Sequence, residues 1–129
     1  MLSTFSFDQS QLDCALSDAS DDELDALDFG VIAFDAEGIV CRYNRFESQA
    51  AGLSSERVVG HHLFTVVAPC MNNFLVATRF EDAAEAQAPL DATIDYVLTL
   101  RMRPVKVRLR LLAAADASAL RYVLVQRKL

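Results

Sequence analysis

Apolar and polar residues alternate most strictly in the last third of the chain. Ala92, Ile94, Tyr96, Leu98, Leu100 and Met102 are interleaved with Thr93, Asp95, Val97, Thr99, Arg101 and Arg103. Beyond Pro104, Val105, Val107, Leu109 and Leu111 are interleaved with Lys106, Arg108 and Arg110. A period of two sends successive side chains to opposite faces of a strand. These stretches, with a closing segment from Arg121 to Arg127, therefore predict three antiparallel strands. Nearer the start, Val31-Ile32-Ala33-Phe34 and Ile39-Val40-Cys41-Arg42-Tyr43 flank Asp35-Ala36-Glu37-Gly38 and read as two strands joined by a tight turn.

Between the two strand groups the period lengthens to that of helices. Asn44 to Ala51 predicts a short helix stopped by Gly52, and Ser54 to Gly60 another, capped by Ser54. Pro69 interrupts regular structure, which places Val67-Ala68-Pro69-Cys70 on a loop or a helix end. The longest helix is expected over roughly 74–87, capped by Asn72 or Asn73, with Phe74, Ala77, Phe80 and Ala84 as its inward stripe. The order implies an α+β fold: a central antiparallel sheet of about five strands with helices on one face. Residues 1–28 read as an acidic N-terminal cap of short helical pieces, one of them opened by Ser20, and residues 29–129 as one domain.

Composition adds three constraints. The chain has 129 residues, 53% of them apolar, with four Gly and three Pro, enough to fold around its own core. No apolar run approaches the roughly 20 residues that cross a bilayer, and no basic region precedes an apolar stretch at the N-terminus. Three Cys without C-x-x-C spacing argue against a disulfide framework or a zinc site, and Cys14 and Cys41 read as packing residues. A soluble, cytoplasmic protein with no metal is the expectation.

The net charge of −6 is unevenly spread. Residues 1–28 carry eight acids and no Lys or Arg, whereas residues 99–129 carry eight basic residues against Asp116 alone. The basic strip alternates with apolar residues on strands, so it reads as a solvated sheet face, or as a dock for the acidic N-terminal segment or a partner, rather than a nucleic-acid surface.

The candidate chemistry lies in Tyr43, Glu47 and Cys70. Tyr43 ends a strand and Glu47 follows four residues later in a short helix, so a phenol and a carboxyl can converge on one acceptor. A buried carboxyl with no cation beside it stays protonated, because desolvation penalises the charged form. Such a carboxyl donates a strong hydrogen bond to an anionic oxygen. The adjacent His61-His62 raises a metal or haem reading, but neighbours on an extended segment point to opposite sides. No Ser-His-Asp spacing or glycine-rich phosphate loop is present, and no enzymatic activity is expected.

At these residues the chain resembles the photoactive yellow protein family, blue-light receptors built on the PAS fold. The family's ligand thiol lies in a Val-Ala-Pro-Cys run, matched by Val67-Ala68-Pro69-Cys70. Its phenolate-binding pair lies in a Tyr-Asn-x-x-Glu run, matched by Tyr43-Asn44-Arg45-Phe46-Glu47. Asp25-Ala26-Leu27-Asp28-Phe29-Gly30, Val59-Gly60 and Met102-Arg103-Pro104-Val105-Lys106-Val107 also match. The resemblance implies a 4-hydroxycinnamic acid (p-coumaric acid) chromophore thioester-linked to Cys70. Its implied surroundings are Tyr43, Glu47, Ala51, Leu53, Leu63, Val67, Ala68, Leu98, Leu100 and Met102.

Several positions depart from the family. Ala51 replaces a supporting hydroxyl, Leu53 an Arg at the pocket mouth, and Leu63, Leu98 and Leu100 stand at aromatic wall positions. The alternative is a non-photochemical PAS domain that binds another small ligand, or none, and serves in signalling or dimerisation. Haem sensing is a third reading. In each case output passes to an unidentified downstream signalling protein, with a homodimer among the open arrangements and no nucleic acid or membrane partner.

Overall fold

The alternating stretches form the sheet they predict. A computed structural model describes residues 6–99, 104–116 and 119–127. Five strands, β1 (Gly30–Phe34), β2 (Val40–Tyr43), β3 (Leu90–Leu98), β4 (Val105–Ala113) and β5 (Arg121–Gln126), lie in the order β2-β1-β5-β4-β3. Every neighbouring pair is antiparallel. Leu100 and Met102, expected to continue β3, lie outside the described residues. Gly38 closes the β1–β2 turn at φ 85°, where a Cβ would collide with the His62 ring.

The two faces of the sheet carry separate cores. On one, Ile32, Phe34, Val107, Leu109, Leu111, Val123 and Val125 pack against Ala77 and Phe80 of α5 (Ala77–Glu85) and against Leu63, Phe64 and Met71. On the other, Val31, Ala33, Leu112, Tyr122 and Leu124 pack against Phe7, Leu12, Leu16, Leu24, Leu27 and Phe29 of the N-terminal region. That region contains α1 (Leu12–Asp18) and α2 (Asp21–Asp25), the latter opened by a reciprocal Ser20–Glu23 capping box. Helical structure therefore covers both faces once the cap is counted.

The cap is held by apolar burial and by arginines that bind its backbone. Arg110, only 5% exposed, donates to the carbonyls of Phe7 at 2.9 Å and Gln9 at 2.6 Å, and forks onto Asp91 of β3. Arg42 donates to the carbonyls of Leu16 at 3.0 Å and Ala19 at 2.6 Å. The strip itself is partly matched within the sheet, through Arg110–Asp91 and Arg108–Asp95. The sheet face beneath the cap is apolar, and the cap acids add attraction to it, Asp8 and Asp13 acting on Arg110 of the strip and Asp21 pairing with Arg42 at 3.2 Å.

Salt screens exposed charge but scarcely weakens burial. Amide exchange in α1 and α2 is accordingly expected to change less than about twofold between ~0.1 and ~1 M NaCl. A tenfold loss of protection would show that exposed ion pairs hold the cap.

Three local expectations are corrected. The long helix starts at Ala77 rather than near residue 74, because Asn73 organises a separate turn by accepting from Leu75 N and Val76 N. Phe74 is consequently 76% exposed, and Ala84 is exposed too, leaving Ala77 and Phe80 as the inward residues. Ser54 precedes α4 (Ser55–Val58) without a side-chain cap, and Cys14 and Cys41 are exposed rather than packed.

Candidate functional site

Asn44 sets the geometry of the site. It is 2% exposed and caps α3 (Arg45–Ala51), its Oδ1 accepting from Glu47 N at 3.1 Å and from Val31 N at 2.9 Å. Its Nδ2 donates to the carbonyls of Leu24 at 2.9 Å and Phe29 at 3.0 Å. One amide therefore joins the end of β2 to β1, to the cap and to the first turn of α3. Tyr43 and Glu47, on either side of it, take fixed positions.

Glu47 is 2% exposed, and its carboxyl lies over Gly30. A Cβ at Gly30 would collide with Glu47 Oε1, so the missing side chain makes the niche that holds the carboxyl. Oε1 is buried with no hydrogen-bond partner among the described residues. Oε2 accepts from Arg127 Nη2 at 2.6 Å. Burial raises the Glu47 pKa to about 7, against the opposing pull and hydrogen bond of Arg127.

The expectation of a carboxyl without a cation is therefore corrected. Arg127 follows β5 in the same inward phase as Val123 and Val125 and brings a guanidinium to the site. Tyr43 is buried in the core, and burial with the nearby Glu47 charge pushes its hydroxyl well above the ordinary phenol range, Arg127 opposing. It is a neutral donor throughout the physiological range.

Cys70 lies on a 3-10 turn, Pro69–Met71, with Pro69 in its first position, where a missing N–H costs little. The thiol is free and half-buried. Its carbonyl accepts from the Tyr96 hydroxyl and from Asn73 Nδ2, and Asn73 Nδ2 also reaches the Tyr96 hydroxyl at 2.7 Å. The turn that carries the thiol is thereby tied to edge strand β3.

Tyr43, Leu53, Leu63, Val67, Ala68, Cys70 and Leu98 belong to one core cluster. Ala51 is buried on α3 one turn beyond Glu47, and Leu53 is held through its carbonyl by Ser48 Oγ at 2.7 Å. His62 Nδ1 accepts from Phe64 N and Thr65 N, capping a π-helical turn over Leu63–Val67, while His61 is exposed. The pair does not converge. Arg127, Gly30 and the Asn73–Tyr96 tether are the site residues that motif reading missed; the period-two phase of β5 was the available signal for Arg127.

The sequence profile of the PAS fold matches residues 24–129. Photoactive yellow proteins of Rhodothalassium salexigens and Halochromatium salexigens are each 32% identical to this chain over 105 residues, covering 81% of it and 83% of the relative. The chain belongs to the photoactive yellow protein family of PAS domains. The photoactive yellow protein domain of the sensor histidine kinase Ppr from Rhodospirillum centenum superimposes with a TM-score of 0.80 at 36% identity. That comparison covers 88% of this chain and 98% of the Ppr domain. Among the described residues of this PAS domain, no helix is long and apolar enough to cross a membrane.

The Gly30 niche gives a direct test of the carboxyl's position. Gly30→Ala is expected to destabilise the domain by about 1–3 kcal/mol through overpacking and to separate Glu47 from Arg127. Urea midpoints and the 13C shift of the Glu47 carboxyl read the two effects. Unchanged values for both would show that the carboxyl does not occupy the niche.

Proposed function

We propose that this PAS domain is a light sensor carrying a 4-hydroxycinnamoyl group as a thioester on Cys70. The observation that supports it most is the orphaned Glu47 Oε1, a buried polar atom held in the Gly30 niche beside the core that contains Tyr43 and Cys70. Buried polar atoms are nearly always paired, so an unpaired one marks a place for a ligand atom. A free thiol, a neutral phenol donor and a carboxyl with one open oxygen suit an acyl group that ends in a phenol.

Cys70 would hold the acyl end, and Tyr43 and Glu47 the phenolic oxygen. The bound group supplies a phenolic chromophore whose double bond isomerises in light. Attachment replaces the Cys70 S–H by an S–acyl bond, and the donor's leaving group departs with the proton. Glu47, with a pKa of about 7, can hold or release a proton near neutrality. Once ionised it already has Arg127 as a partner, which relieves much of the several kcal/mol that an unpaired buried charge costs.

The acidic segment 1–28 then acts as the cap and residues 29–129 as the sensing domain. With its helices packed against the other sheet face, the cap is positioned to respond through β1 and Asn44. The protein works in the cytoplasm, without catalysis of its own, and passes its signal to a partner protein. A non-photochemical ligand-binding role is the second reading. Aliphatic Leu63 and Leu98 and the hydroxyl-free Ala51 in the buried interior favour it.

The test is intact mass and absorbance after mixing with an activated 4-hydroxycinnamic acid donor, with Cys70→Ala alongside. One adduct with a new absorption band, both lost in the variant, is expected. Absence of an adduct on the wild-type protein would leave the second reading in its place.

A further inference from the structure

The Glu47–Arg127 contact bears on how such a ligand would be protonated. Arg127 is only 16% exposed in its side chain, its Nη2 meets Glu47 Oε2 at 2.6 Å, and its Nε is buried without a partner among the described residues. The other titratable group acting on this pair is Tyr43 at the end of β2. On α2, Asp25 accepts from Arg45 N at 2.7 Å and pairs with the Arg45 guanidinium at 3.9 Å. Gly30 on β1 brings no charge, nor does Leu53, where the family carries an Arg.

Resting on the light-sensor reading above, we propose that Arg127 decides which atom holds the proton shared by Glu47 and a bound phenol, placing it on the ligand oxygen and leaving Glu47 ionised. Two arrangements have the same net charge: a neutral Glu47 facing a phenolate, and a Glu47 carboxylate facing a neutral phenol. They differ by transfer of one proton across a hydrogen bond. A guanidinium is charged in either case. Touching one carboxylate oxygen, it favours the arrangement in which that oxygen is anionic.

The opposite arrangement leaves a largely buried Arg127 facing a neutral carboxyl, which is the poorer partner. Glu47 Oε1 is then the acceptor for the phenol, which accounts for the one carboxyl oxygen without a protein partner. Ala51 acts in the same direction, since it offers no hydroxyl to a phenolate. Tyr43 serves either arrangement as a donor. The ligand oxygen is thus favoured in its neutral form, which absorbs at shorter wavelength than the phenolate.

The experiment compares wild type, Arg127→Gln and Arg127→Lys, each loaded with the activated 4-hydroxycinnamic acid donor and checked by intact mass. The phenol-to-phenolate midpoint is read by absorbance against pH. Arg127→Gln is expected to lower it by at least about one pH unit, a tenfold fall in proton affinity. Arg127→Lys, which keeps the charge without the fork, is expected between the two and serves if the Gln variant folds poorly.

In the unloaded proteins, 13C NMR of the Glu47 carboxyl should show its titration moving to higher pH in Arg127→Gln. An adduct on all three proteins with an unmoved midpoint overturns this inference alone, as does an unmoved Glu47 titration. No adduct on the wild type overturns the sensor reading and this inference with it.

Discussion

Asn44→Ala is expected to lower stability by about 3–5 kcal/mol, among the largest effects of any single substitution in this domain. Asn44 makes four side-chain hydrogen bonds, and all four partners are backbone groups: the N–H groups of Val31 and Glu47 and the carbonyls of Leu24 and Phe29. Truncation takes this partner from the Val31 and Glu47 N–H groups and the Phe29 carbonyl in a region closed to water, at a cost of roughly 1 kcal/mol or more for each, whereas the Leu24 carbonyl still accepts from Leu27 N. The Glu47 N–H share of this loss is the cap of α3, itself worth about 1 kcal/mol.

Asn44→Asp separates the contributions. An Asp retains the acceptor for Val31 and Glu47, but it cannot donate to Leu24 and Phe29. It should therefore loosen the cap more than α3. Urea unfolding gives the total, and amide exchange of residues in α1, α2 and α3 gives its distribution. A loss below about 1 kcal/mol for Asn44→Ala would mean that water replaces the amide at little cost.

The second large effect concerns pH. Burial raises Glu47 from 4.5 to about 7 in the folded, unliganded protein. A group whose folded pKa is raised contributes its stability fully below its unfolded value and loses it as pH rises through the folded one. Stability should therefore fall between about pH 4.5 and about pH 7 by up to ~3 kcal/mol, and level off above that range. Glu47→Gln should flatten the decline, because an amide does not ionise. Asp91 acts in the opposite direction, its pKa lowered by the Arg110 hydrogen bond, but it is half exposed and its contribution is small. Urea midpoints across this range, for wild type and Glu47→Gln, measure the difference. Parallel curves would mean that the Arg127 contact keeps Glu47 ionised throughout.

The sheet was legible because its strands carry a strict period of two, and Gly38 and Gly52 mark the turns that end β1 and α3. Tyr43, Glu47 and Cys70 were legible as motif residues. Their surroundings were less so. Asn73 looks like a helix cap in sequence, yet its amide serves the Cys70 carbonyl and Tyr96, and the helix begins later. Such a choice depends on a strand more than twenty residues away. Gly30 could be read as a strand start but not as the niche for a carboxyl on another element. The cap's acids suggested electrostatic docking, and Asp8, Asp13 and Asp21 do act on Arg110 and Arg42, but the apolar core of Phe7, Leu12, Leu16 and Leu24 beneath them was not read from the sequence. Charge is conspicuous in a sequence; the apolar residues set among it are less so.

The proposed function rests on a free Cys70 thiol, a buried Tyr43 hydroxyl and a Glu47 carboxyl with one open oxygen and Arg127 on the other. The most direct test of that account is transient absorbance of the loaded protein after a light pulse. The account predicts that light depletes the ground-state band, that the band recovers in the dark, and that Glu47→Gln changes the recovery rate. A loaded protein whose spectrum is unmoved by light at every wavelength it absorbs would contradict the light-sensor function, whatever its affinity for the ligand.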